Sequence, residues 1–401
     1  MFLRQHENKK KMKRQTIAIN TPFERRDTYG SLNIPVYHTA AYEFDNAQAM
    51  TDAFTGKVLE PDYSRVMNPT VTHLENKVKA LTGASNVFAL NSGMAAISNA
   101  LLVFAEQGRN IVTSNHLFGN TVALINTTLA RLGVEAHTTD LTDLDKVREA
   151  VDDKTCSIYL EIITNPQMEV ADLRRLSDIA HEHGIPLIAD TTMIPFTQFS
   201  AKELGVDVEV VSSTKYISGG GTSLGGLVID YGTFPVVNER IRFELLFNLG
   251  CYMTPHAAYM QSLGLETLDA RYRVQSANAI ELARRLKNVK GIRAVNHIAL
   301  PDNKYHELAR QQFGDTGGAM ITIELDSEDA CYSFINNLRL IHRATNLFDN
   351  KSLAIHPYST IFGNFSKEKK KEMDVLPTTI RLSVGLEHVD DLTEDITQAL
   401  R

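Results

Sequence analysis

The chain has 401 residues, 43% of them apolar, and a formal charge of −7 at pH 7, enough apolar material to bury two or three structural units of an ordinary globular protein. A charge so modest, spread along the chain, offers no basic face to follow a phosphate backbone, and this argues against nucleic acid as a partner. Three widely separated cysteines, Cys156, Cys251 and Cys331, share no metal-ligand spacing and suit a reducing, cytoplasmic setting, and no run of about 18 apolar residues offers a membrane span.

In chain order, the basic MFLRQHENKKKMKRQ lacks the apolar centre of a signal peptide and reads as a solvated tail, with Met12 an alternative start. Residues up to 65 are rich in turn formers and read as an extended arm, with a short helix near NAQAMTDAF. An arm has to pack on something, and a neighbouring subunit is the candidate. NPTVTHLENKVKALTG then predicts a helix, capped by Asn68, with Pro69 in its first position, Val71, Leu74, Val78 and Leu81 on one face, and Gly83 as its stop.

From residue 86, short apolar runs alternate with helical patterns: NVFAL and MAAISNALLVFA, NIVTS and TVALINTTLARLG, SIYLEII and LRRLSDIAHEHG, then IPLIADTT, VEVVSS and LGGLVID. Runs without polar alternation are buried on both faces, so the expectation is an α/β unit with a mostly parallel sheet covered by helices. After residue 255 a long helical region over 259–289 precedes the alternating AMITIELD, the helical SEDACYSFINNL, and TIRLSVGL, which together read as a smaller C-terminal α+β domain. The division is an arm over 1–65, an α/β domain over 66–254 and an α+β domain over 255–401. KEKKKE at 367–372 reads as a solvated loop or helix surface.

Ligands of such sheets bind at the carboxyl ends of the strands. After NVFAL, Ser92 and Gly93 make a tight turn into a helix starting near Met94, and the free N–H groups there form a weak anion signal. After IPLIA stands Asp190, which by itself suits a cap, a metal or a cationic ring nitrogen. After VEVV come Ser212, Ser213, Thr214 and Lys215, followed by Gly219, Gly220, Gly221, Gly225 and Gly226. The lysine precedes the glycines, which excludes a GxxxxGK[ST] loop, and Leu224 occupies the third position of a GxGxxG fingerprint. A lysine among phosphate-friendly residues, with an acid one strand upstream, is what pyridoxal phosphate requires: an amine for a Schiff base, an acid for the pyridine nitrogen, and donors for the phosphate.

With these residues in place, the chain resembles the Cys/Met-metabolism branch of the fold-type I pyridoxal phosphate enzymes. The likeness runs through IPVYHTAAYEFDN, YSRVMNPT, NSGMAAI, LFGNT, NPQMEVADL, HGIPLIADTT, SSTKYISGGGTSLGG, GLETLDAR, NKSLAIHP and IRLSVGLEH. It implies a large, mostly parallel seven-stranded sheet and a smaller C-terminal α+β domain. It implies Lys215 as the Schiff-base lysine, Asp190 as the partner of the pyridine nitrogen, and Gly93, Met94, Ser212 and Thr214 as phosphate donors. Tyr63 and Arg65 would reach the phosphate of a neighbouring subunit, in a tetramer built from dimers that share active sites. Asn165 and Thr192 would touch the cofactor ring and its phenolic oxygen, and Arg381 would clamp the substrate carboxylate near Thr345 and Asn346.

Several positions depart from the commoner pattern. Phe118 stands where many members have tyrosine, which keeps ring stacking but removes a hydroxyl. Phe348 replaces an expected glycine, YSTIF at 358–362 replaces a segment ending in Thr-His, and Val211 replaces a histidine. Phe348 and YSTIF are expected to reshape the substrate pocket. LFGNT, NPQMEVADL and GGGTSLGG are most similar to the O-acetylhomoserine sulfhydrylases, implying γ-replacement on an O-acylated homoserine by sulfide or a thiol. The alternatives are a cystathionine-forming enzyme or a lyase of the same family, and, from another class, a catalytically silent binding protein. Among the remaining residues, His181 and His183 point to different sides of a helix end and make a poor metal pair. His116 reads as a turn residue and Cys156 as core.

Overall fold

The computed structural model describes residues 12–23 and 29–401. Strands β1 (Asn86–Leu90), β2 (Asn110–Ser114), β3 (Glu135–Thr139), β4 (Thr155–Glu161), β5 (Leu187–Asp190), β6 (Val208–Val211) and β7 (Gly226–Asp230) form one sheet in the order β1-β7-β6-β5-β4-β2-β3. Only β7 runs antiparallel to its neighbours. The unbroken apolar runs are explained by two cores: Ile158, Leu160, Leu187 and Ala189 point into one, and Tyr159, Ile188, Val208 and Val210 into the other. The alternating runs did not reveal β3, because it is an edge strand with a polar, partly exposed sequence, EAHTT.

The helix Pro69–Thr82 takes its predicted form. The Asn68 side chain accepts from Thr70 N, Leu74 and Val78 are fully buried, and Gly83 ends it at φ 69°. The helical region over 259–289 is two helices, Pro255–Glu266 and Leu268–Leu286. In the first of these, Gly264 lets the helix lie against the backbone of Ile217 and Ser218, where a Cβ would collide with the Ile217 carbonyl. This close approach fixes the turn that follows Lys215.

A second sheet of β8 (Ala294–Asn296), β9 (Met320–Glu324), β10 (His342–Arg343), β11 (Leu353–Ile355) and β12 (Thr379–Ser383) is ordered β10-β11-β12-β9-β8. The helices Leu268–Leu286, Glu328–Asn337 and Val389–Ala399 pack together beside it. Two sequence expectations change. The tail reading covers residues 1–15, of which 1–11 lie outside the described residues, and it does not hold at its end, because Arg14–Asn20 is a helix. Arg14 there donates to the carbonyls of Thr197 (3.1 Å) and Phe199 (3.0 Å). Nor is KEKKKE wholly solvated: in the helix Lys367–Glu372, Lys370 is buried, with its ammonium 4.2 Å from the centre of the Tyr358 ring.

Candidate active site

A cavity of about 540 Å³ opens at the carboxyl ends of the parallel strands and is closed on the far side by Thr345, Leu347, Thr360, Ile361 and Arg381, the last from the C-terminal sheet. On one wall the helix Gly93–Leu102 begins. Ser92 caps it by accepting from Ala95 N (3.1 Å), and the N–H groups of Gly93 and Met94 belong to the first turn, which has no intrahelical acceptor. Gly93 is needed for proximity: a Cβ there would lie 2.7 Å from Cβ and Oγ of Ser212. Ser212, just past β6, donates its N–H to Thr192 Oγ1 (2.8 Å). Thr214 Oγ1 donates to Gly225 O (3.1 Å) and accepts from Gly225 N (3.0 Å), which pins the glycine-rich turn.

Asp190 ends β5 and is buried, its Oδ1 accepting from Thr192 N (2.9 Å). Burial raises its pKa, while the bonds from Thr192 and the charge of Lys215 pull it back. The Lys215 ammonium donates to Asn346 Oδ1 (2.9 Å). Burial, aided by the charge of Arg381 and opposed by Asp190, lowers the Lys215 pKa to about 8. Arg381, on β12, is 2% exposed. It donates from Nη1 to Asn165 Oδ1 (3.2 Å) and from Nη2 to the carbonyls of Asn346 (3.3 Å) and Thr345 (3.4 Å). Its Nε has no hydrogen-bond partner among the described residues, and burial lowers its pKa to about 9. A buried guanidinium held only by neutral groups is prepared to take an anion.

Residues 15–401 match the profile of the Cys/Met metabolism PLP-dependent enzymes. The chain belongs to that family. An O-acetyl-L-homoserine sulfhydrylase of Leptospira meyeri is 33% identical, over 97% of each chain, and an L-methionine gamma-lyase of Pseudomonas putida is 35% identical, over 96% of each. Among solved structures, one named as an O-acetylhomoserine (thiol)-lyase, from Campylobacter jejuni, superposes with a TM-score of 0.94 at 32% identity, over 97% of this chain and all of its own. It carries a pyridoxyl-lysine monophosphate. The O-acetylhomoserine sulfhydrylase of Wolinella succinogenes is 44% identical, with a TM-score of 0.75, over 84% of this chain and 99% of its own.

The site of this PLP-dependent enzyme fits pyridoxal phosphate on its own geometry. Helix-start N–H groups and two hydroxyls flank a spot that a single Cβ at Gly93 would obstruct, a buried carboxyl faces the same cavity, and the Lys215 amine enters it. Gly93, Met94, Phe118, Asn165, Asp190, Thr192, Ser212, Thr214, Lys215, Thr345 and Arg381 all line the cavity, and Asn346 joins it through Lys215. Tyr63 and Arg65 do not. The Arg65 guanidinium donates to Phe247 O and lies 5.4 Å from the Tyr63 ring, which is 44% exposed.

Phe348 is the correction. Instead of reshaping the pocket, its side chain is fully buried outside it, stacked on Tyr216 with centroids 4.0 Å apart and planes 4° from parallel. Its backbone is left-handed, with φ 56°, and Leu347 lines the cavity instead. From YSTIF, Thr360 and Ile361 do line it. His116 does more than turn the chain: Nδ1 meets Glu169 Oε2 at 2.5 Å and Nε2 meets Asp374 Oδ2 at 3.1 Å. Sequence reasoning also passed over Glu161, a carboxyl in the cavity at the end of β4. Its signal was a lone carboxyl inside the apolar run SIYLEII, which extends two residues beyond the end of β4 and so hid the strand end.

Proposed function

We propose that this enzyme performs γ-replacement on O-acetyl-L-homoserine, with sulfide or a small thiol as nucleophile, giving L-homocysteine or its thioether and releasing acetate. One observation carries the reading: the cavity presents one guanidinium, that of Arg381, while its remaining wall includes apolar Ile97, Phe118, Leu224, Leu347 and Ile361. Such a wall suits a substrate with one carboxylate and an uncharged acyl tail. Among the described residues it offers no further cationic partner for the second carboxylate of a succinyl ester or of cystathionine. The apolar wall suits the methylthio tail of methionine equally well, so a methionine-cleaving lyase is the second reading.

When bound, pyridoxal phosphate supplies a carbonyl for the substrate amine and a sink for the electrons of the Cα–H bond. In this reading Gly93, Met94, Ser212 and Thr214 hold its phosphate, Asp190 its ring nitrogen, Thr192 and Asn165 its phenolic edge, and Phe118 covers its face. Arg381 binds the substrate carboxylate through its unpartnered Nε side. That contact orients Cα toward Lys215, whose low pKa leaves a neutral fraction near pH 8 to accept and return protons. Asn346 couples the two, its side chain on Lys215 and its carbonyl on Arg381. The acetate leaves Cγ with its bonding electrons, and the sulfur nucleophile takes the same carbon.

Tyr63 and Arg65 are proposed to complete the site of a second copy in a homo-oligomer of dimers, assembled into a tetramer. Their place outside the chain's own cavity supports this, as do the exposed apolar Phe54 and Leu59 of the arm and Phe243, Phe247 and Leu249 of the large domain. The division at residues 65 and 254 and a cytoplasmic location are retained as parts of this proposal. Among the described residues no helix is long and apolar enough to cross a membrane. The test is incubation with O-acetylhomoserine and sulfide, run beside O-succinylhomoserine, cystathionine and methionine. Homocysteine from the first pair is expected. No homocysteine there, with cleavage of methionine or cystathionine, overturns the reading.

A further inference from the structure

Glu161 and Asp190 are register partners on adjacent parallel strands, β4 and β5, so both side chains leave the sheet on the same face, at the cavity end. The alternation along each strand agrees: Tyr159, two residues before Glu161, and Ile188, two before Asp190, belong to the same core. Glu161 is 8% exposed and lines the cavity. Its Oε1 accepts from Phe118 N at 2.6 Å. No basic side chain pairs with it among the described residues. A carboxyl in such a place is costly to keep unless it has a task.

We propose that Glu161 is a positioning residue of the site, which ties the backbone of Phe118 to the strand end carrying Asp190 and shares a single negative charge with Asp190. The proposal rests on the pyridoxal phosphate reading above and deepens it. Two carboxyls side by side in a buried site do not both ionise. Asp190 is the better anion, because it has the Thr192 N–H and faces the Lys215 charge. Glu161 is the better acid: burial first, then the charge of Asp190, push its pKa well above the usual carboxylate range, against the bond from Phe118 N. A neutral Glu161 still accepts from Phe118 N through its carbonyl oxygen. Its proton keeps the charge opposite the cofactor's ring nitrogen on Asp190, and its anchor sets where the Phe118 ring stands over the cavity. Phe118 has no hydroxyl to locate itself by hydrogen bonding, so the backbone anchor is what places it.

Glu161→Gln is the deciding variant, because its amide oxygen accepts from Phe118 N as a neutral acid does. In infrared spectra of wild type minus Glu161→Gln at neutral pH, a positive carbonyl band of a protonated carboxyl is expected. Subtraction removes the bands of other buried carboxyls such as Glu75 and Glu209. Pyridoxal phosphate should bind the Gln variant within about twofold of wild type, and Glu161→Leu, which leaves Phe118 N without an acceptor, roughly tenfold more weakly. Absence of the acid band overturns the proposal, and so does a Gln variant that binds as weakly as the Leu variant. If the Leu variant does not fold, the infrared difference still decides. A wild type that shows no visible band with pyridoxal phosphate defeats the functional reading instead, whereas the infrared comparison can be made on that same protein and speaks only to Glu161.

Discussion

Replacing Phe348 by glycine should destabilise the protein and leave its choice of acyl group unchanged. The ring is fully buried and stacked flat on Tyr216, the residue after the lysine, so deleting it opens a cavity of aromatic size, a change that costs about 3–5 kcal/mol in buried sites. Set against this is the left-handed backbone at φ 56°, which glycine adopts without strain, a gain of about 1 kcal/mol. The net is a loss of about 2–4 kcal/mol, read as a lower urea midpoint and a melting temperature lower by several degrees in the cofactor-loaded protein. Turnover should fall for all substrates alike, because a loosened Tyr216 lets Lys215 wander, while the ratio of kcat/KM for O-acetyl- over O-succinylhomoserine stays within a few-fold of wild type. A Gly variant as stable as wild type would refute the packing argument. A shift in the acyl ratio beyond about tenfold, equivalent to 1.4 kcal/mol, would return Phe348 to the substrate pocket.

Arg381→Lys keeps the charge but loses the fork. Losing a hydrogen bond to a charged group costs about 1.5–3 kcal/mol, so kcat/KM for O-acetylhomoserine should drop at least about tenfold, chiefly through KM; a drop of less than threefold would exclude it as the carboxylate clamp. The folded chain binds the Lys215 proton less tightly than the unfolded chain, with a pKa of about 8 against 10.5, so this group's contribution to stability rises with pH across that window. The melting temperature of wild-type apoprotein should therefore climb relative to Lys215→Gln between those values, and parallel curves would show that the amine is not depressed. Finally, Lys215→Ala and Arg65→Ala chains, each inactive alone, should regain up to about a quarter of wild-type activity when unfolded and refolded together, since mixed dimers carry one intact site; no recovery would place Arg65 outside a shared site.

Much of the fold could be read from the sequence because its signals are local. NVFAL and NIVTS match β1 and β2 end to end, as unbroken apolar runs bounded by turn formers should, and Asn68, Pro69 and Gly83 bracket their helix through caps written in adjacent residues. The strand EAHTT gave no such signal, because an edge strand buries too little to need apolar side chains. The site divides similarly. Lys215 and Asp190 stand at the ends of apolar runs, whereas the link through Asn346 from Lys215 to Arg381 spans the chain from 215 to 381 and becomes visible only in the fold. Two glycine positions show why the substrate pocket was misjudged. Gly93 has no left-handed backbone, and what it supplies is space, since a Cβ would strike Ser212. The position of Phe348, where the family resemblance led us to expect glycine, is left-handed, so a glycine there would serve the backbone rather than open the pocket. Phe348, which occupies that position, has its ring stacked on Tyr216 outside the cavity. Phe118, Thr360 and Ile361 do line the cavity, so we propose that the substrate preference rests with them, and substitution at Ile361 should change the ratio of kcat/KM for O-acetyl- over O-succinylhomoserine where substitution at Phe348 does not.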